Sequence, residues 1–320
     1  MPLSARNVAA TARSFAERVR HLPSLRKGGW GVKSSGRKRQ AVLEWLTRHV
    51  TRFLDQPVGQ YERRHPNDVQ LLKRAIRPGD VLLVEGHQRI SLLIKYLTHS
   101  SWTHTALYVG DELLRRGGPL RELALQHFGD EAEHLVIEAL MEGVVASPLT
   151  KYSEHNLRVC RAHRLRTEHL QTVVQGAVGA IGWRYDLRNV IELALHLVGL
   201  SLLPLRYRQR MMSSGRAGEV ICTSLLGRLF HDVGFPVQPS ISHPAESGEP
   251  EPPRRSFLRV LGRRPEPYSG VYRRRPPRFL MPRDFDLSPF FEIVKFNVIA
   301  EGRFDYQRIE WAKDHDEDVA

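Results

Sequence analysis

The sequence predicts an α+β fold in which a small antiparallel sheet packs on helices, and two strand patterns carry this prediction. A Pro-Gly-Asp turn at 78–80 introduces the short apolar run 81–84, which is typical of a buried strand. The segment SWTHTALYVGD, residues 101–111, alternates its side chains between two faces and ends in a turn. Apolar residues at helical spacing between and after these runs predict the helices.

The other elements follow from the same patterns. Apolar residues at 90, 93, 94 and 97 predict a helix between the two strands, and a polar, glycine-rich excursion is expected from about 111 to 132. The segment EHLVIEALMEGVVASPL predicts two more strands with a tight turn at Glu142-Gly143. Helices are further predicted over 172–182, 187–200 and 222–233, and a last strand over 291–298.

Composition divides the chain into four segments. Residues 1–70 carry two amphipathic helical patterns and are predicted to form a helical N-terminal extension, and residues 71–240 are predicted to form the main domain. Residues 241–283 are rich in Pro and Arg, which predicts a linker or surface loop because such a segment buries too little apolar surface. Residues 284–320 are predicted to return one strand to the core and to end in an acidic tail.

The charge of the chain predicts an anionic partner. Lys and Arg number 48 against 35 Asp and Glu, a net charge of +13. The basic residues are scattered without interleaved aromatic residues or a nucleic-acid-binding motif, which argues against nucleic acid and leaves an anionic membrane surface or an acidic small substrate. Neither a secretory signal nor a charge-free apolar span is found, so the expected location is cytoplasmic, with peripheral membrane contact as the extension.

Cys222 is the candidate nucleophile. It lies in GEVICTSLL at the start of a predicted helix, where unpaired N–H groups and the helix dipole favour a thiolate. Free cysteine is also among the residues most often buried in cores, and position alone does not decide between these two interpretations. A histidine base is therefore required elsewhere in the sequence.

His104 and Glu138 are the candidates for the base and its acidic partner. His104 lies within an alternating strand, which holds an imidazole more firmly than a loop does. Glu138 is an acid within the apolar strand LVIEAL, where a buried carboxylate needs a partner. The alternatives to a histidine partner are an arginine, or solvent if this face of the strand is hydrated. Glu142 and His134 are nearby alternatives to Glu138.

These motifs together resemble a known family. The order RPGDVLLVEG, ISLLIKYLTHSSWTHTALYVGD, VIEALMEGVVASPL, GWRYDLRN and EVICTSLL is similar to that of the YiiX-like, circularly permuted papain-fold cysteine hydrolases. These are relatives of the NlpC-type peptidases and the lecithin:retinol acyltransferases. The resemblance covers about residues 76–235 and implies a papain-like fold with permuted topology. In the family Ser or Thr usually precedes the histidine and follows the cysteine, as Thr103 and Thr223 do.

The resemblance implies a cysteine hydrolase or acyltransferase that acts through an acyl-thioester. His104 would activate Cys222, with Glu138 as the third member, and Trp102, Tyr185 and Thr223 are expected at the substrate. No cofactor is expected, and no metal, because no residue cluster has metal-site spacing. The substrate could be lipid or peptide; the apolar run 190–205 and the basic charge favour lipid. The alternative is a non-catalytic lipid- or peptide-binding module on the same fold.

Overall fold

The computed structural model describes residues 5–21, 56–57, 67–140, 143–183, 221–242, 271–273, 275–277 and 280–295. The second amphipathic pattern of the N-terminal extension, the predicted helix 187–200 and Tyr185 lie outside these residues. The helices are α1 (Ala5–Arg20), α2 (Val69–Ala75), α3 (Arg89–Thr98), α4 (Glu112–Arg115), α5 (Gly118–Phe128), α6 (Thr167–Gly179), α7 (Ile221–Asp232) and α8 (Pro282–Asp286). Two 3₁₀ helices span Gly129–Glu133 and Leu149–Tyr152.

Within the described residues the strands form an antiparallel sheet of six and a separate pair. They are β1 (Val81–Val84), β2 (His104–Gly110), β3 (Leu135–Leu140), β4 (Gly143–Pro148), β5 (Leu157–Ala162), β6 (Ser240–Ser242), β7 (Val271–Arg273) and β8 (Phe291–Val294). The large sheet has the order β4-β3-β2-β1-β5-β8, and β6 pairs with β7. The predicted α+β class with a small antiparallel sheet is confirmed.

The alternation predicted for β2 divides the core into two layers. Leu107 and Val109 belong to a large apolar cluster, and Ala106 and Tyr108 to a smaller cluster on the other face of the sheet. Helices α1, α5, α6 and α7 contribute to the large cluster, whereas α2 and the 3₁₀ helix Leu149–Tyr152 cover the smaller one. A one-residue register slip would exchange these faces, so the pattern fixes the pairing of β2.

The predicted hairpin is confirmed, and the expected excursion is not a loop. Strand β3 pairs with β4 from Leu135↔Pro148 to Leu140↔Gly143. The excursion at 111–132 contains helix α5, which buries Leu120, Ala124 and Phe128 in the large cluster. Its apolar residues recur every four positions, a helical spacing that its glycines and charged residues obscured.

Both ends of the chain contribute to the same domain. Helix α1 packs on β4 and α5, and its Phe15 and Val19 are fully buried. Strand β8 pairs with β5, from Val159↔Val294 to Ala162↔Phe291. The predicted last strand thus has four residues in the sheet; its further positions 296 and 298 lie outside the described residues. None of the described helices is long and apolar enough to cross a bilayer.

Candidate active site

His104 and Glu138 form a buried pair on neighbouring strands. In the β2–β3 register Ala106 faces Glu138, so His104 lies two positions away on the same face of the sheet. Nε2 of His104 is 2.8 Å from Oε2 of Glu138. The carboxylate is fully buried, and the imidazole side chain retains 20% exposure. The sheet therefore holds one end of the imidazole against a buried acid and leaves part of the ring accessible.

Glu138 has two more hydrogen-bond donors, both from the 3₁₀ helix Leu149–Tyr152. Nζ of Lys151 donates to Oε1 at 2.6 Å, and the hydroxyl of Tyr152 donates to Oε2. Burial alone would raise the pKa of Glu138, but the Lys151 charge and the hydrogen bonds of His104 and Lys151 bring it well below its ordinary range. Glu138 is accordingly a carboxylate at neutral pH.

The ionised acid fixes the tautomer of its partner. A carboxylate can only accept hydrogen bonds, so the proton between the two groups belongs to Nε2 of His104. In the neutral ring Nδ1 is then the basic nitrogen. This arrangement suits a histidine that takes a proton at Nδ1 while its other nitrogen is held by an acid.

Backbone hydrogen bonds fix the residue before the histidine. The N–H of Thr103 donates to the carbonyl of Val84 at 3.0 Å, and the N–H of Gly86 donates to Oγ1 of Thr103 at 2.9 Å. A Cβ at Gly86 would lie 2.2 Å from Oγ of Ser91, so only glycine fits without a shift. The loop after β1 is thereby packed against the start of β2, where His104 lies.

The C-terminal segment supports the loop that precedes β2, on which Trp102 lies. The indole Nε1 of Trp102 donates to Oδ2 of Asp286 at 2.9 Å, and Nη1 of Arg158 lies 2.5 Å from Oδ1 of Asp286. The Arg158 guanidinium also stacks over the Trp102 ring, 5.2 Å from its centroid. Trp102 was predicted at the substrate; its side chain is largely buried and contacts these two residues.

Cys222 is the second residue of α7, in the first turn as predicted, and its side chain lies outside the described part of the chain. Helix α7 packs on β2 and β3, and its Leu225, Leu226 and Phe230 belong to the large cluster. His104 lies on the opposite face of β2, with Ala106 and Tyr108. It is the first residue of that strand, however, so the two faces meet beside it at the strand end.

The other cysteine is part of the core. Cys160 lies on β5, where it pairs with Val81 of β1 and Ile293 of β8, and it is fully buried. Burial, with the nearby charge of Asp286, raises the pKa of its thiol to about 12. A neutral, inaccessible thiol is a poor nucleophile.

The remaining predicted residues are placed as follows. Thr223 is fully buried in the first turn of α7, and Tyr185 and Glu142 lie outside the described residues. Nδ1 of His134 is hydrogen-bonded to the Tyr108 hydroxyl at 2.7 Å, toward the opposite end of β2 from His104. His134 lines a separate cavity of about 550 Å³. The structure therefore brings Glu138, and not His134, to His104.

Sequence reasoning missed three of the site's residues. Lys151 and Tyr152 follow the hairpin in LTKYSEH, and Asp286 lies 184 positions after the tryptophan it binds. The one available signal was the buried acid itself, since a fully buried carboxylate requires a cation or several donors. Within the described residues, His, Cys, Asp and Glu form no group of three or more that could hold a metal ion.

The antiparallel sheet, the histidine at a strand start and the later helix with a cysteine in its first turn have the element order of a permuted papain-like domain. Residues 75–192 match the family described as permuted papain-like amidase enzymes, YaeF/YiiX, the C92 family. The resemblance predicted from the sequence is confirmed, and the matched segment includes His104 and Glu138 but ends before Cys222.

Comparisons with solved structures and with curated proteins find only distant similarity or none. A crystal structure titled metalloprotein yiiX from Escherichia coli O157:H7 is similar with 15% sequence identity and a TM-score of 0.38, covering 70% of this chain and 98% of that one. A search of curated proteins finds no match. The family match supports hydrolase activity of the amidase type.

Proposed function

We propose that the protein is a cysteine amidase that cleaves a carbon–nitrogen bond through a thioester on Cys222. The observation that carries the proposal is the hydrogen bond between His104 and the fully buried, ionised Glu138. A buried carboxylate is costly unless it has a function or strong partners, and here it orients an imidazole that is itself partly accessible.

Each group has one task in the reaction. Nδ1 of His104 takes the proton of the Cys222 thiol, and the thiolate attacks the amide carbonyl carbon to form a tetrahedral oxyanion. When the oxyanion collapses, the carbon–nitrogen bond breaks and His104 returns the proton to the leaving amine. Water, deprotonated by His104, then attacks the thioester and releases the acid and the thiol. Glu138 stabilises the imidazolium in both halves of the cycle.

The helix start supplies the electrostatics for the nucleophile. Cys222 lies in the first turn of the twelve-residue α7, where the backbone N–H groups of the helix start and the helix dipole stabilise negative charge. These same N–H groups can hold the oxyanion. We propose that Cys222 and His104 meet at the N-terminal end of β2, where His104 is the first residue. Helix α7 packs on the other face of this strand, and the two faces are joined only around the strand end.

Substrate contacts are assigned to three residues. Thr223 follows the nucleophile, Tyr185 belongs to the WRYD motif, and Trp102 precedes the histidine by two residues. Because Trp102 is bonded to Asp286, its proposed contribution is a fixed wall rather than a side chain that reorients. An amine or alcohol could accept the acyl group from the same thioester in place of water, and the protein would then be an acyltransferase.

The experiment is an acyl-donor screen with matched variants. A panel of fluorogenic amides, acyl esters and thioesters is offered to the full chain, to Cys222→Ala and to His104→Gln, with exposed His21→Gln as control. We expect turnover of at least one amide, lost in the first two variants and retained in the control. Turnover that survives Cys222→Ala would refute the proposed nucleophile.

A membrane-bound substrate is a second candidate, favoured by one helix. Helix α3 exposes Leu92 by 49% and Tyr96 by 76%, and Arg89 begins the same helix. Exposed apolar side chains beside basic ones suit the interface of an anionic bilayer, and the chain carries +13. Sedimentation with phosphatidylserine vesicles at low and physiological salt tests this. Vesicle binding that is lost in Leu92→Ser/Tyr96→Ser supports a membrane-bound substrate. If the parent protein binds vesicles at neither salt concentration, a peptide amide is the better substrate class.

The alternative to an enzyme is a binding module that retains the shell of the fold. The observation in its favour is that His104 and the apolar side of α7 lie on opposite faces of β2. This alternative predicts that no acyl donor is turned over, while vesicles or peptides still bind and Cys222→Ala leaves that binding unchanged.

A further inference from the structure

Three hydrogen-bond donors meet on the buried carboxylate of Glu138. Lys151 binds Oε1 at 2.6 Å, while His104, at 2.8 Å, and the hydroxyl of Tyr152 both bind Oε2. Glu138 and Tyr152 are buried, and the Lys151 side chain retains 17% exposure. One short 3₁₀ helix thus supplies a cation and a hydroxyl to the acid that the histidine uses.

The two carboxylate oxygens have different partners, and this separates two effects. Tyr152 shares its oxygen with His104, so it orients the carboxylate without changing the charge of the cluster. Lys151 occupies the other oxygen and brings one positive charge. Lys151 and Glu138 together form a neutral pair beside the imidazole. The electrostatic attraction of Glu138 for the protonated imidazole is therefore weaker than that of a carboxylate without a cationic partner.

We propose that Lys151 and Tyr152 are positioning residues of the active site: both hold Glu138 against His104, and Lys151 also lowers the pH at which the His104–Glu138 pair binds a proton. The inference rests on the proposed function, because it concerns the histidine assigned there as the base. A base of an amidase must be mainly neutral at its working pH. The Lys151 charge favours that neutral form.

The direction of the effect does not depend on which member of the pair holds the proton. Removing a neighbouring positive charge makes proton binding easier at both Glu138 and His104. Among the residues that the structure describes, His155 and His87 are further ionisable groups on this side of the site. His155 lies with its ring 5.6 Å from that of Tyr152 and 5.4 Å from that of His87. Glu85, on the loop after β1, forms an ion pair with Lys95 of α3, and the two charges cancel.

The test is a titration of the histidine rings by long-range ¹H–¹⁵N NMR in the full chain carrying Cys222→Ala. That background removes coupling to the thiol, and His104→Gln identifies the His104 signals. Lys151→Met and Lys151→Gln remove the charge, and Lys151→Gln retains a donor for Glu138. Lys151→Arg is the control that keeps the charge, and Tyr152→Phe removes only the hydroxyl.

We expect both charge-removing variants to raise the midpoint of the His104 titration by about one pH unit or more. Lys151→Arg should stay within a few tenths of the parent value, and Tyr152→Phe should shift upward by less than Lys151→Met. An unchanged or lowered midpoint in Lys151→Gln would overturn the assignment of Lys151, and an unchanged midpoint in Tyr152→Phe that of Tyr152. The titration needs no substrate, so it can succeed where the acyl-donor screen fails, and the two failures are distinguishable.

Discussion

Nε2 of His104 lies 2.8 Å from Oε2 of Glu138 because strands β2 and β3 pair with Ala106 opposite Glu138. The register places the histidine two residues along the same face, within reach of a glutamate side chain. A shift of one residue would turn the acid to the other face of the sheet. The pairing of two apolar strands therefore also aligns the polar pair.

Replacing Glu138 by Gln should lower turnover by about 100-fold or more. The amide can donate as well as accept, so it no longer fixes the tautomer of His104 or stabilises the imidazolium. The matched control is Glu122→Gln on α5, where the side chain is exposed. Steady-state kinetics on the best amide of the screen measure the effect, and turnover within twofold of the parent would remove Glu138 from the mechanism.

The stability of the protein should depend on Glu138 at neutral but not at strongly acidic pH. Its pKa is below the ordinary value of 4.5 in the folded protein, so its contribution is present above that value and is lost as the pH falls toward the folded pKa. At pH 7 we expect Glu138→Gln to cost on the order of 2–4 kcal/mol in urea unfolding, from the hydrogen bonds to a charged group. The cost should shrink steadily below about pH 4. A pH-independent difference would contradict the assigned carboxylate.

His155 should also make the protein less stable on acidification, but in a higher pH range than Glu138. Burial, followed by the nearby His87 and Lys151, lowers the pKa of His155 from 6.5 to about 4. The unfolded chain therefore binds a proton at this residue between these values while the folded chain does not, and stability falls as the pH drops from 6.5 to 4. Denaturant unfolding of His155→Gln should lose on the order of 2 kcal/mol less over that range than the parent. Parallel stability curves would show that His155 is not held neutral.

Asp286 should matter for both stability and turnover although it lies far from His104 in sequence. Asp286→Ala removes the acceptor of Trp102 and the ion-pair partner of Arg158, which together fix the loop before the histidine. We expect a loss on the order of 1–3 kcal/mol in thermal or urea unfolding and a lower kcat with little change in KM. Exposed Asp130→Ala is the control. Unchanged stability and turnover in Asp286→Ala would separate the C-terminal segment from the site.

Local pattern predicted much of the sheet and could not predict the partners of the acid. The run 81–84 and the alternation of β2 depend only on neighbouring residues, so β1, the faces of β2 and the β3–β4 hairpin followed from the sequence. Helix α5 was missed because glycines and charges interrupt its apolar spacing.

Partners from distant segments could not be derived in the same way. Glu138 stood out as an acid in an apolar strand, but its pairing with Lys151 needs the 3₁₀ helix to fold back over the face of β3. Asp286 reaches Trp102 only because β8 returns the chain to the edge of the sheet beside β5. Nothing near either residue in sequence specifies such a contact.

In the proposed mechanism Cys222 is the activated thiol, whereas Cys160 is a buried residue of the core. The most direct measurement is the rate of labelling by iodoacetamide between pH 5 and 8 in the folded full chain, with mass spectrometry to locate the modified cysteine. We expect fast labelling at Cys222 near neutral pH, slowed in His104→Gln and absent in Cys222→Ala. Cys160 should be modified only after unfolding, because it is fully buried and the pKa of its thiol is raised to about 12. Labelling of Cys222 at the rate of an ordinary thiol, unaffected by His104→Gln, would contradict the proposed mechanism.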